Sequence, residues 1–453
     1  MSNFFNLFII YFIVRLFLIF ILIVTTLISF SNLLLSANIL LWVFILFLGY
    51  NVIKDKYVSL ASIFIFGFIY IYFKEILNNT DNLIVDWGKE NVEIAFQTIL
   101  FSAITFLSGY YFHQLLFCKK KIKNGERKNF FFIKNKKSFF KFNLFLTYLI
   151  FFGNIVLIIK GLTEGRQNAF EYGILSSISY AVGVICIVNY KYYFKQFYGK
   201  DNYIKVILYS LPIFILYIGS GTRFLLLFGI IALINSSLFN LKLKKIAGLG
   251  IVLLMIGLLG NFFLQYRNIG IASGAKYESV SYDESSSFNQ KVVSNFTEEG
   301  VFRNAAMITD YTKKNDFTYG KSFSFLLYFW IPRVIWTSKP TQIDFWLIRE
   351  YTDEYDESGH STASGFLGEI YMDFGKYLTV IVFFLIGILL SKLNEKLLNV
   401  EINSYFILIV SSSVIAWLFF AVRSIVTSSI MMIFIILLAY IFSKLLKKWN
   451  LIK

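Results

Sequence analysis

Apolar runs about as long as a bilayer is thick recur along almost the whole chain, and nothing else in the sequence limits the fold so strongly. A helix needs about 20 apolar residues to cross the hydrocarbon core. Runs near that length centre on 8–30, 33–52, 57–73, 94–117, 142–159, 173–189, 206–219, 223–240, 246–264, 367–390, 404–422 and 424–443. Hydrophobic residues make up 57% of the 453 positions and charged residues only 15%. A water-soluble domain of that length cannot hide so much apolar surface. The expected fold is therefore all-α, a polytopic integral membrane protein with about 12 transmembrane helices. The first run, residues 4–30, is too long for a signal-peptide core and lacks a small-residue cleavage site, so it reads as a retained span. Cys118 and Cys186 sit in or at the ends of apolar runs, so no disulfide framework is expected.

Charge sets the direction of these spans. The interval 119–141 carries Lys119, Lys120, Lys121, Lys123, Arg127, Lys128, Lys134, Lys136, Lys137 and Lys141 against the single acid Glu126. The positive-inside rule makes that loop cytoplasmic. Alternation then places Lys54 and Lys56, residues 191–205, 242–245, Lys392, Lys396 and the tail 444–453 on the same side. The gaps 74–93 and 266–375, rich in Asp and Glu, fall outside. Both termini are thus expected in the cytoplasm. The net charge of +16 serves topology and attraction to anionic lipid, not nucleic acid. Three regions follow: 1–265 with helices one to nine, a large extracytoplasmic loop over 266–366, and 367–453 with helices ten to twelve.

That loop concentrates the chemistry. The uninterrupted apolar part of the tenth span, 377–390, is shorter than a crossing requires, so its helix should begin near Gly365 to Gly368. Glu369 and Asp373, four positions apart, then share one helical face at the outer membrane surface. Glu369 is either a functional carboxylate or a complement to the helix dipole. Gly219-Ser220-Gly221-Thr222-Arg223 is a tight outer turn opening a helix. It forms either an anion site or a turn whose arginine snorkels to headgroups. Arg267, Arg303, Arg333 and Arg349 add outer guanidinium groups. The segment 323–336, apolar but short and broken by Pro332, is expected to lie along the interface, with Trp330 and Trp336 in the headgroup belt and Arg333 and Lys339 toward lipid phosphates. Asp353-Glu354-Tyr355-Asp356-Glu357 lacks the glycine and spacing of a calcium loop. His113 has no zinc-ligand partner at ligand spacing. No phosphate-binding loop, dinucleotide fingerprint or nucleophile elbow is present.

Several of these residues together resemble a known family. Ile331-Pro332-Arg333, Trp336 and Lys339-Pro340 in the loop, and Ser361-Thr362, Gly365 and Gly368-Glu369-Ile370-Tyr371-Met372-Asp373-Phe374-Gly375 after it, resemble the Wzy-type oligosaccharide repeat-unit polymerases of O-antigen and capsule assembly. The Gly221-Thr222-Arg223 turn and the layout of many spans with one large outer loop fit as well. The resemblance implies a GT-C-like fold of the O-antigen polymerase and ligase type, in the bacterial cytoplasmic membrane. It implies a metal-independent glycosyltransferase without cofactor. The reaction would join undecaprenyl-diphosphate-linked oligosaccharide repeat units into lipopolysaccharide O-antigen or capsular polysaccharide on the outer face. Membrane lipids, a chain-length regulator and a flippase are the further partners implied.

For that reaction the departing lipid diphosphate calls for arginine, and Arg223, Arg303 and Arg333 are the candidates. The acceptor hydroxyl must lose a proton, which assigns Glu369, or else His360, as base. Asp373 would orient the acceptor sugar or support Glu369, and Tyr371 would stack on a sugar face. An O-antigen ligase shares this chemistry with a different acceptor. A lipid-linked oligosaccharide flippase or transporter would instead carry ionisable groups at mid-depth and internal repeats.

Overall fold

The structure, a computed structural model, describes residues 42–44, 46, 48–49, 58–73, 76, 80–117, 132–164, 173–199, 202–219, 228–233, 301–331, 335–340, 343, 364–399 and 404–452. In chain order its helices are α1 (Leu60–Phe68), α2 (Thr80–Trp87), α3 (Lys89–Phe117), α4 (Lys136–Glu164), α5 (Gly173–Tyr198) and α6 (Tyr203–Gly219). Then come α7 (Val301–Lys314), α8 (Lys321–Tyr328), α9 (Gly365–Asn399), α10 (Tyr405–Ala421) and α11 (Ile425–Lys448). Among the described residues the only other pairing is an isolated bridge between Ile133 and Ile452. Four stretches, Lys89–Leu116, Lys136–Ile155, Gly365–Leu397 and Ser428–Lys448, are long and apolar enough to cross a membrane, and Tyr203–Tyr217 and Tyr405–Ala421 are shorter apolar helices. The expected spans 8–30 and 246–264 lie outside the described residues, as do most of 33–52 and 223–240.

The chain divides into two compact units. The first comprises Met1–Lys123, Thr297–Lys321 and Thr362–Leu398. Its frame is the pair α3 and α9, which run parallel. Lys376 meets Gln97 at one end (Nζ to Oε1, 2.8 Å) and Ser391 meets His113 at the other (Oγ to Nδ1, 3.0 Å). Between these points two glycines let the backbones touch. A Cβ on Gly109 would lie 2.1 Å from the Phe384 carbonyl oxygen, and one on Gly387 2.1 Å from that of Phe106. Lipid offers no hydrophobic push between helices, so small residues that admit close backbone contact supply the packing instead. Helix α1 completes the frame. Ser59 caps it by accepting from the Ser62 N–H, and the Leu60 N–H donates to Asn394 Oδ1 at 3.1 Å. A π-helical turn, Ile69–Phe73, prolongs α1 and carries Tyr72.

Helix α9 is not one rod. Gly375 adopts φ 70° and ψ −179° inside it and divides it into arms 365–374 and 376–399. On a straight helix Phe366 and Phe383 would stand about 25 Å apart. Their ring centroids are 5.1 Å apart. The first arm therefore folds back along the second, and Phe64 of α1 packs against both rings, at 6.3 and 6.1 Å. Alongside runs α7, whose apolar side Val301, Phe302, Ala305, Ala306 and Ile308 is buried. The helix starts at Gly365, within the range the short apolar run requires. The sequence expectation of one continuous tenth span from there is corrected, because the left-handed glycine ends the first arm.

The second unit comprises Asn124–Phe296, Ser322–Ser361 and Asn399–Lys453. Here α5 is held by side-chain amide hydrogen bonds made away from water. Asn143 donates to the Cys186 carbonyl at 3.2 Å and Asn189 to Asn143 Oδ1 at 3.0 Å. The tail turns back on the start of α4, with the Lys134 N–H donating to the Leu451 carbonyl at 2.9 Å. Helix α8 has eight residues, about 12 Å, far short of a crossing. Lys339, expected to face lipid phosphates, is buried and donates to the carbonyls of Phe329 and Ile331 at 2.7 and 2.9 Å. The turn after α8 leaves those carbonyls without helical donors, and the ammonium group supplies them.

Candidate active site

The first arm of α9 is fixed at both ends by glycine. Gly365 has φ 73°, and a Cβ there would lie 2.3 Å from the Tyr72 hydroxyl oxygen and 2.8 Å from Val301 Cγ1. The Leu367 N–H donates to the Tyr72 hydroxyl at 3.4 Å, so the π-helical turn of α1 serves a donor that the helix start leaves open. At the other end a Cβ on Gly375 would sit 2.7 Å from the Phe317 ring. The N–H groups of Thr318 and Tyr319 donate to the carbonyls of Met372 and Asp373 at 3.0 and 3.1 Å. Carbonyls that the glycine break deprives of helical partners thus find them in the loop after α7.

Between these ends stand Glu369 and Asp373, one turn apart on the same face, and both are 0% exposed. A buried carboxylate is costly unless it is hydrogen-bonded, and the Thr318 hydroxyl donates to Asp373 Oδ1. The same hydroxyl lies 3.3 Å from the Met372 carbonyl oxygen. Tyr371 is also buried, and its hydroxyl faces Thr309 and Thr312 of α7. These contacts tie α7 to the arm.

Arg303 is not brought to these carboxylates. It lies on α7, roughly 120–180° around the helix from Val301, Ile308, Thr309 and Thr312, which meet the arm. It points instead to Asp86 of α2, with 3.7 Å between guanidinium and carboxylate and both groups about half exposed. Further along α7 Lys313 meets Glu90 at 2.9 Å and Asn91 Nδ2 donates to Asp310 Oδ1 at 2.9 Å. This polar seam docks α7 on α2 and α3. Arg223, Arg333 and His360 lie outside the described residues. Among the described residues no three His, Cys, Asp or Glu side chains come together as a metal-holding group. The sequence reading missed Thr318, Tyr72, Thr309 and Thr312, all remote along the chain from the arm they serve.

A family profile described as O-antigen polysaccharide polymerase Wzy matches residues 7–450, nearly the whole chain. The chain belongs to that family. No curated protein and no solved structure matches it. Wzy membership makes it an integral membrane protein and a glycosyltransferase-type polymerase of lipid-linked oligosaccharide repeat units. Its apolar helices α3, α4, α9 and α11 fit that class.

Proposed function

We propose that this Wzy-family chain transfers a growing glycan from undecaprenyl diphosphate to the next undecaprenyl-diphosphate-linked repeat unit, at the outer face of the bacterial cytoplasmic membrane. The observation that carries the proposal is the pair Glu369 and Asp373, fully buried on an arm folded back along a spanning helix. Phe366 of that arm meets Phe383, about 10 Å along the second arm from Lys376. The carboxylates therefore lie between that depth and the helix end, where a lipid diphosphate and a sugar can meet. Loop charges place this end outside. The parallel run of α3 and α9 supports that assignment, because the charges give the fourth and tenth spans the same direction.

In the proposed reaction an acceptor hydroxyl oxygen attacks the anomeric carbon of the donor glycan. The bond from that carbon to the diphosphate oxygen breaks, and the hydroxyl proton passes to Glu369 as general base, with His360 as the next choice. Asp373 orients the acceptor sugar. Arg223 and Arg333 hold the diphosphate and its developing charge through forked hydrogen bonds, the work a divalent cation does in metal-dependent transferases. Arg303, engaged with Asp86, is assigned to docking α7 instead. The proposed frame is the twelve-span GT-C-like architecture, with both termini inside and the 266–366 loop outside.

Deleting the gene and resolving the surface glycan by gel electrophoresis tests the reading. A product carrying a single repeat unit is expected. Loss of all attached glycan would indicate a ligase or flippase instead.

A further inference from the structure

Thr318 is anchored more firmly than a surface loop residue needs to be. Its N–H donates to the Met372 carbonyl at 3.0 Å, and its own carbonyl accepts from the Lys321 N–H at 3.1 Å. On one side Phe317 lies against Gly375; on the other Tyr319 and Gly320 take φ 46° and 87° to turn the chain. A β-branched side chain on so fixed a backbone has few rotamers open to it. Its hydroxyl has one proton and two acceptors nearby, Asp373 Oδ1 and the more distant Met372 carbonyl oxygen. The carboxylate oxygen is nearer, so it takes the proton.

We propose that Thr318 is a positioning residue that fixes the Asp373 carboxylate in the orientation that receives the acceptor sugar. The inference rests on the proposed role of Asp373. Binding of one oxygen by a rigid donor sets the plane of the carboxylate, and with it the direction of the other oxygen. Without that donor the group still binds a sugar hydroxyl, but is held less firmly before it does so, and the cost of ordering it falls on acceptor binding.

The test is steady-state kinetics of the full-length protein on purified lipid-linked repeat units, with donor and acceptor varied separately. Thr318→Val and Thr318→Ala remove the hydroxyl with and without keeping the bulk; Thr318→Ser keeps it. Either removal is expected to raise the acceptor KM about 2- to 10-fold, the cost of ordering one side chain, with the donor KM unchanged and Thr318→Ser close to wild type. Asp373→Asn should raise the acceptor KM too, and adding Thr318→Val to it should change little further. If Asp373→Asn leaves the acceptor KM unmoved, the role of Asp373 itself has failed, and this inference with it. If Asp373→Asn raises that KM while removal of the Thr318 hydroxyl does not, the positioning inference alone is overturned. Impairment of Thr318→Ser equal to that of Thr318→Val overturns it as well. So does failure of both hydroxyl-free variants to accumulate while Thr318→Ser does, since Thr318 would then be a folding residue.

Discussion

Phe366 and Phe383 lie with ring centroids 5.1 Å apart although about five helical turns separate them along α9. The contact is possible only because Gly375 turns the chain between them, and it sets the depth of the arm that carries Glu369 and Asp373. One backbone conformation, open to glycine and hardly to other residues, thus links membrane packing to the candidate chemistry.

Gly375→Ala should weaken this link. The substitution places a Cβ in the left-handed region and 2.7 Å from the Phe317 ring, so a loss of about 1–3 kcal/mol is expected. Gly153→Ala, with nothing within 4 Å of the added carbon, is the control. Thermal unfolding of detergent-solubilised protein should show a lowered midpoint for Gly375→Ala and little change for Gly153→Ala. Equal midpoints would remove Gly375 from the account.

The α3–α9 crossing makes a second prediction. Alanine at Gly109 or Gly387 forces apart backbones whose carbonyls stand 2.1 Å from the new carbon. Overpacking of this kind costs about 1–3 kcal/mol. Each variant should yield less monodisperse protein by fluorescence-detected size-exclusion chromatography. Wild-type yield and stability from both would show that the helices do not pack so closely.

Part of this architecture is visible in the residues alone. The shortness of the apolar run 377–390 points to a helix start near Gly365, and the spacing of Glu369 and Asp373 puts them on one face. The fold-back at Gly375 is not visible, because a glycine in an apolar helical stretch is usually tolerated without a turn. Helix α7 is half hidden: Val301, Phe302, Ala305, Ala306 and Ile308 have helical spacing, but they sit in an interval whose overall polarity reads as loop. The contact between Thr318 and Asp373 leaves no local trace, since it joins segments that only the tertiary fold brings together. Arg303 is legible only by its type. Its residue type suits a diphosphate, but its place on the α7 wheel turns it toward Asp86.

Arg303→Ala accordingly should leave turnover and donor binding close to wild type. An exposed ion pair contributes about 0–1 kcal/mol, so the effect on stability should be small. Arg223→Lys keeps its charge but loses the planar fork, and should weaken both donor binding and turnover. A large loss of donor affinity in Arg303→Ala would return that residue to the diphosphate site.

Metal independence is testable directly. The proposed arginines supply the positive charge that a divalent cation supplies elsewhere, so activity on purified repeat units should persist in EDTA. Loss of activity with rescue by Mg²⁺ or Mn²⁺ would contradict this and point to Asp353, Glu354, Asp356 and Glu357.

The central claim is that Glu369 is the base, and Glu369→Gln tests it most directly. Glutamine keeps the shape and hydrogen bonding of the side chain but cannot accept the acceptor's proton. Single-turnover rates on purified lipid-linked repeat units should fall by about 10²- to 10⁴-fold with donor binding nearly unchanged. If Glu369 instead serves only the packing of the arm, the variant would lose stability and keep its activity. Normally folded Glu369→Gln protein that polymerises at the wild-type rate would contradict the account.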